Sequence, residues 1–137
     1  MSVLYIVGSL RNPKVPEVGA YLRTLGHEVF DDWYSAGPDA DTCWQAYEQE
    51  RGHTFAQALD GYHAWHVFEF DRFHLNRCDV GVLVYPVGRS GHVEFGYLSG
   101  RGKPVYILLD KEPERFDVMC RFAKGVYTSI TDLGEAL

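Results

Sequence analysis

The sequence has few cysteines, no long apolar run and no cluster of cations, and each absence removes a class of function. Cys43, Cys78 and Cys120 are widely spaced and form no Cys-x-x-Cys pair. An odd, scattered set argues against a disulfide framework and a zinc knuckle, and reads as three small core residues. The longest apolar stretch, Val80 to Val87, is broken by Gly81 and Pro86 and falls far short of the roughly 20 residues of a membrane-spanning helix. The opening MSVLYIVGS lacks a basic leader and runs straight into a strand-like segment, so the expectation is no secretory signal and a cytoplasmic protein. Lys and Arg number 13 against 19 Asp and Glu, for a net charge of −6, and nowhere cluster. The electrostatic footprint for polymeric DNA or RNA is missing, but a single nucleotide needs only a local anion site.

What is present suits one packed domain spanning residues 1–137. Hydrophobic residues make up 46% and charged residues 23%, close to soluble globular averages. Leu4 to Val7 reads as a buried strand ending at the Gly8-Ser9 turn. Val15, Val18, Leu22 and Leu25 recur at helical spacing, entered through Pro16 and closed by Gly26. A strand from His27 to Phe30 completes a strand-helix-strand unit, which implies parallel pairing. Asp31 to Thr42 reads as a polar surface loop or lid. Helices are expected over Cys43 to Leu59 and Tyr62 to Arg77, and buried strands over Val80 to Tyr85 and Val105 to Leu109 with a helix between them that ends at Ser99. Pro113 to Ala123 reads as helical, Val126 to Thr128 as a short strand and Thr131 to Leu137 as a closing helix. The fold class is therefore α/β: a single flavodoxin-like, Rossmann-like domain with a mainly parallel sheet of four or five strands flanked by helices. In such sheets ligands sit beyond the carboxyl ends of the strands. Gly8-Ser9 and Gly88 to Gly91 fall at such ends and face one crevice if their strands are neighbours.

Two acids draw attention. Ser90 is a good N-cap and Gly91 permits close backbone approach, which would place Glu94 in the first turn of a helix, where free N–H groups and the dipole keep a carboxylate ionised. Acids also occur in helix first turns for stability alone. Asp71 shares a helical face with Val67, Phe68 and Leu75, and partial burial would raise its pKa toward that of a proton donor. A pairing of Asp71 with Arg72 or Arg77 is the plainer alternative. One ionised and one protonated carboxyl group are what retaining cleavage of a glycosidic bond requires. Asp79, at the mouth of a strand, reads as turn chemistry. His63 and His66 stand three residues apart but lack a third ligand with convincing spacing, so no metal site is expected. His92 lies beside Glu94 and is either a substrate contact or an ordinary exposed residue. Trp33 and Tyr34 either stack on a base or anchor their loop.

Tyr5-Ile-Val-Gly8-Ser9 with Arg11, Asp71 eight residues before Asp79, and Ser90-Gly91-His-Val-Glu94-Phe-Gly96 leading to Gly102-Lys103-Pro104 together resemble the nucleoside 2-deoxyribosyltransferase family, which includes the 2'-deoxynucleoside 5'-phosphate N-hydrolases. The resemblance runs to about Leu109. It implies Glu94 as the nucleophile of a glycosyl-enzyme ester, Asp71 as the acid that protonates the base, and Tyr5 as the hydroxyl that orients Glu94. It also implies a role for Ser9, with Arg11, in holding a 5'-phosphate. Where the family carries Asp or Ser six residues before the nucleophile this chain has Gly88, and Ser90 is the available substitute. The Asn that some transferases lend to a neighbouring subunit is not found.

The function expected is cleavage of the N-glycosidic bond of a nucleoside or nucleoside 5'-monophosphate, with the sugar passing to water or to a second base. No metal or organic cofactor is required, because the two carboxyl groups supply nucleophile and proton. The expected partners are a small nucleoside or nucleotide and, through the aromatic-rich helix from Tyr62 to Leu75, a second copy of the chain in a homodimer or higher homo-oligomer. Two alternatives stand beside this. One is cleavage of the nicotinamide bond of NAD, where the cationic leaving group makes the acid dispensable; the other is a nucleotide-binding module that does not turn over.

Overall fold

The computed structural model describes residues 1–137. Three segments with near-continuous apolar sequence form central strands, as expected of parallel strands covered on both faces. They are β1 (Val3–Val7), β3 (Val80–Val84) and β4 (Val105–Leu108), joined by the short edge strands β2 (Glu28–Phe30) and β5 (Gly125–Tyr127). All five pair in parallel in the order β2-β1-β3-β4-β5, with Tyr5 level with Gly81 and Val7 with Leu83. This is a flavodoxin-like sheet. The strand order reverses between β1 and β3, which are direct neighbours, so the turns that leave them open into the same crevice.

Alternate side chains of each strand feed two cores. Leu4 and Ile6 point with Val82, Val84 and Leu108 toward α1 (Lys14–Thr24) and α6 (Ile130–Ala136), which contribute Val15, Val18, Leu22 and Leu133. Tyr5 and Val7 point with Leu83, Val105 and Ile107 to the other face. There α4 (Tyr62–Arg77) supplies Leu75, and α5 (Arg89–Gly100) supplies Phe95 and Leu98. Leu25, expected on the buried stripe of α1, falls just past its end and is exposed.

Several boundaries differ from the sequence reading, each for a local reason. The expected helix from Cys43 to Leu59 is two helices, α2 (Ala40–Glu50) and α3 (Phe55–Leu59). Gly52 between them has φ of +78°, a conformation that glycine accommodates easily, and Thr54 opens α3 with a reciprocal capping box to Gln57. Asp31 to Thr42 is not a free loop: it holds a 3₁₀ turn over Asp32–Ala36 and the start of α2. The expected helix from Pro113 to Ala123 shrinks to a 3₁₀ turn over Val118–Phe122, capped by the Asp117 side chain. Of the three cysteines only Cys78 is buried; Cys43 is exposed and Cys120 intermediate. Asp79 does serve the turn into β3, accepting the Val3 amide at 2.8 Å.

Candidate active site

Tyr5 sits in the second position after the start of β1 and is 1% exposed. Its hydroxyl donates to Glu94 Oε2 at 2.6 Å, which ties the central strand to α5. α5 can come this close because of Gly91: a Cβ there would stand 2.1 Å from Val87 Cγ2 and 3.4 Å from Val7 Cγ1. The start of α5 corrects the sequence reading. Gly88, not Ser90, is the N-cap, and it offers no side-chain hydrogen bond. Glu94 therefore lies beyond the first turn, out of reach of the free N–H groups that would favour its charge. Burial dominates instead and raises its pKa to about 7, reinforced by the nearby Asp71 charge and opposed by the Tyr5 hydrogen bond. Tyr5, itself buried beside Glu94 and Asp71, has its own pKa pushed far up, so its hydroxyl stays protonated and remains a donor.

Asp71 faces the same space from α4. The cations next to it pair elsewhere, Arg72 with Glu69 at 2.7 Å and Arg77 with Glu28, and Asp71 makes no ion pair or hydrogen bond of its own. Burial raises its pKa to about 6. The two carboxyl groups interact, so their protons belong to the pair rather than to either residue alone.

The helices that carry the two acids are fixed to each other at the far end. Lys103, in the Gly102-Lys103-Pro104 turn after α5, donates to the carbonyls of Leu75 at 3.0 Å and Asn76 at 2.5 Å in the last turn of α4. Tyr97 of α5 adds a hydrogen bond to Asn76 at 2.5 Å. A cation on the open carbonyls of a helix C-terminus also suits the helix dipole.

Tyr5, Asp71 and Glu94 line a cavity of ≈ 680 Å³, within the range of small-molecule sites. Gly8, Ser9 and Arg11 enter it from the turn after β1, and Gly88, Ser90 and Gly91 from the turn after β3. Ser9 shapes its own turn by accepting the Arg11 amide at 3.1 Å. The Arg11 guanidinium reaches Thr42 at 3.4 Å, holding the start of α2 over the opening. Trp33 anchors its segment, its indole N–H donating to the Ile6 carbonyl at 2.8 Å, and it also lines the cavity. Tyr34 packs on the core and is not part of the lining. His63 and His66 are in the wall.

His92, like Tyr34, is a candidate the structure leaves out of the lining. Its Nε2 lies 3.2 Å from the Tyr85 hydroxyl and its Nδ1 2.9 Å from the Gly88 carbonyl oxygen.

Sequence reasoning missed four contributors. Phe70 and Val67, near Asp71 on α4, form an apolar wall; the spacing of Val67 four residues before Asp71, and of Phe70 three after Val67, was the available signal. Arg89 lines the cavity from the first turn of α5, where a cation opposes the helix dipole unless an anion lies between. Asn12 is 3% exposed, and its amide reaches the Val84 and Pro86 carbonyls at 3.5 and 3.4 Å, stitching the two cavity turns together. Nothing local in the sequence signals that bond, which spans more than 70 residues.

The same arrangement of sheet and helices occurs in solved enzymes. A 2-deoxyribosyltransferase from the psychrotolerant bacterium Bacillus psychrosaccharolyticus matches with a TM-score of 0.65 at 19% identity, covering 96% of this chain and 90% of that one. A CMP N-glycosidase from Clostridium botulinum matches with a TM-score of 0.56 at 16% identity, covering 98% of this chain and 96% of that one. These likenesses establish a shared fold. No protein-family model and no curated protein matches the sequence. No helix is long and apolar enough to cross a membrane.

Proposed function

We propose that the protein cleaves the N-glycosidic bond of a nucleoside or nucleoside 5'-monophosphate through a covalent glycosyl-Glu94 intermediate. The observation that carries this is the convergence of two carboxyl groups with raised pKa values, one of them held by a buried tyrosine, on one cavity at the switch point of the sheet. The two solved enzymes of the same fold, a 2-deoxyribosyltransferase and a CMP N-glycosidase, belong to this reaction class, which supports the reading.

The steps follow from the geometry. Tyr5 holds Glu94 Oε2, which leaves Oε1 to attack the anomeric carbon. As the carbon–nitrogen bond breaks, its electron pair goes to the base and Asp71 delivers a proton to that nitrogen. Positive charge developing on the bound sugar lowers the proton affinity of Glu94, so in the reacting complex Glu94 is ionised and the proton is held by Asp71. Water or a second base then attacks the glycosyl ester while the Asp71 carboxylate accepts the incoming proton, and Glu94 is released. Ser9, Arg11, Arg89 and Ser90, with the N-terminus of α5, form the anion-favouring end of the cavity and receive a 5'-phosphate. Trp33, Phe70 and Val67 offer flat and apolar contacts to the base.

A second copy of the chain covers the outer face of α3 and α4 in this reading. Phe55, Leu59, Tyr62, Trp65, Phe68 and Phe73 are exposed there, whereas the layer of α1 and α6 exposes only Leu25 among its large apolar residues. Glu69 and Arg72 on the same face make it self-complementary in charge about a two-fold axis.

The test is to incubate the protein with a panel of nucleosides, their 5'-monophosphates and NAD, with and without an acceptor base, and to follow free or exchanged base by chromatography. Base release by the parent and none by Glu94→Ala supports the proposal. Ligand binding with no release by either protein overturns it.

A further inference from the structure

The N-cap and first turn of α5 present Gly88, Arg89, Ser90 and Gly91 to the cavity, yet the N-cap is a glycine with no side chain to fix it. On the inner side Asn12 reaches this segment at Pro86, before the turn begins. The outer side is held by His92, whose backbone amide makes a long first helical bond to the Gly88 carbonyl at 3.4 Å and whose ring adds a shorter contact. Its Nδ1 lies 2.9 Å from the Gly88 carbonyl oxygen. A carbonyl only accepts, so Nδ1 carries the proton directed at it, and Nε2 lies 3.2 Å from the Tyr85 hydroxyl. The two rings meet edge to face, 5.9 Å apart at 83°. Tyr85 directly follows β3 and packs against the core beneath α5, so a continuous line of contacts runs from the sheet to the Gly88 carbonyl. His92 is itself exposed, so hydrophobic burial does not explain where its ring sits.

We propose that His92, backed by Tyr85, is a positioning residue that touches no ligand and sets the Gly88–Gly91 turn against the phosphate of a nucleoside 5'-monophosphate. The inference rests on the reading above that this turn receives the phosphate. Glu94, Asp71 and Tyr5 are held by other contacts: Glu94 and Tyr5 by each other, and Asp71 by the α4 backbone that Lys103 secures. Releasing the turn therefore affects the phosphate end of the ligand and leaves the sugar and base ends in place.

The experiment is isothermal titration of the Glu94→Ala protein, which cannot turn over, with the four common 2'-deoxynucleoside 5'-monophosphates and with the matching nucleosides. Adding His92→Ala is expected to weaken monophosphate binding about tenfold, the effect of one well-placed hydrogen bond, and nucleoside binding by less than about twofold. His92→Gln, whose amide reaches the same carbonyl, recovers most of the loss. Tyr85→Phe, a milder change that keeps the ring packing, weakens monophosphates about threefold and leaves nucleosides unchanged. Equal losses for both ligand types, or no loss for the monophosphates, overturns the role of His92. Absence of any binding by the parent, together with no base release, overturns the functional reading on which it rests.

Discussion

Replacing Glu94 by Gln should make the protein more stable at pH 8 while abolishing base release. Folding raises this carboxyl from its ordinary 4.5 to about 7, chiefly by burial. Below pH 4.5 the group is protonated in both the folded and the unfolded chain and contributes nothing. Between 4.5 and 7 the unfolded chain gives up its proton while the folded chain keeps it, so stability falls as pH rises through that window. Above 7 the full cost applies, about 3 kcal/mol at most. Glutamine has nearly the same shape, still accepts the Tyr5 hydroxyl, and never ionises. For a chain of 137 residues the cost converts to a melting temperature higher by up to about 10 °C in the variant at pH 8. The assay is thermal unfolding of both proteins from pH 4 to pH 8, read as the difference between them, because every other titrating group is common to both. The expected difference is near zero at pH 4 and grows until about pH 7. A difference that does not change with pH, or a variant that melts lower at pH 8, would refute the reasoning about burial.

Three further outcomes follow from the same geometry. Tyr5→Phe removes the hydrogen bond that opposes the burial effect on Glu94, so the acidic limb of the pH profile of kcat moves to higher pH and kcat at pH 6 falls about tenfold or more; an unshifted profile in steady-state kinetics would contradict the assignment. Asp71→Asn lowers kcat about 10²- to 10⁴-fold for ordinary bases but little for a 7-methylguanine nucleoside, whose leaving group is already cationic; equal losses on the two substrates would remove Asp71 as the proton donor. Charging the exposed aromatic face, with Trp65→Glu and Phe68→Glu together, converts a dimer to a monomer in analytical ultracentrifugation without lowering the melting temperature by more than a few degrees; a parent that sediments as a monomer would refute the proposed interface.

The central frame could be read from the sequence because it depends on local pattern. Leu4 to Val7, Val80 to Val84 and Val105 to Leu108 are apolar at every position or nearly so, and that is what a two-sided parallel sheet demands. The neighbouring placement of β1 and β3 then brings the Gly8-Ser9 and Gly88-Gly91 turns together, as anticipated. Helix starts were harder to read. Ser90 looks like an N-cap, but the helix begins one residue after Gly88, so the environment of Glu94 is set by burial rather than by the helix terminus. The break between α2 and α3 carried a legible signal, Thr54 with Gln57 after Gly52, that periodicity alone overrode. His92 was read by its closeness to Glu94 in sequence, yet on a helix two residues separate side chains by more than half a turn. Asn12 and Lys103 act through contacts to segments distant in the chain, and only the assembled fold shows them.

The most direct test of the account is to look for the sugar on Glu94. The protein is mixed with a 2'-deoxynucleoside 5'-monophosphate or its nucleoside, quenched in acid within the first turnover, digested and analysed by peptide mass spectrometry. The peptide containing Glu94 is expected to gain the mass of the glycosyl group, and Glu94→Gln to show neither this gain nor free base. Base release without any adduct, even with a 2'-fluoro analogue that slows breakdown of the ester, would contradict it.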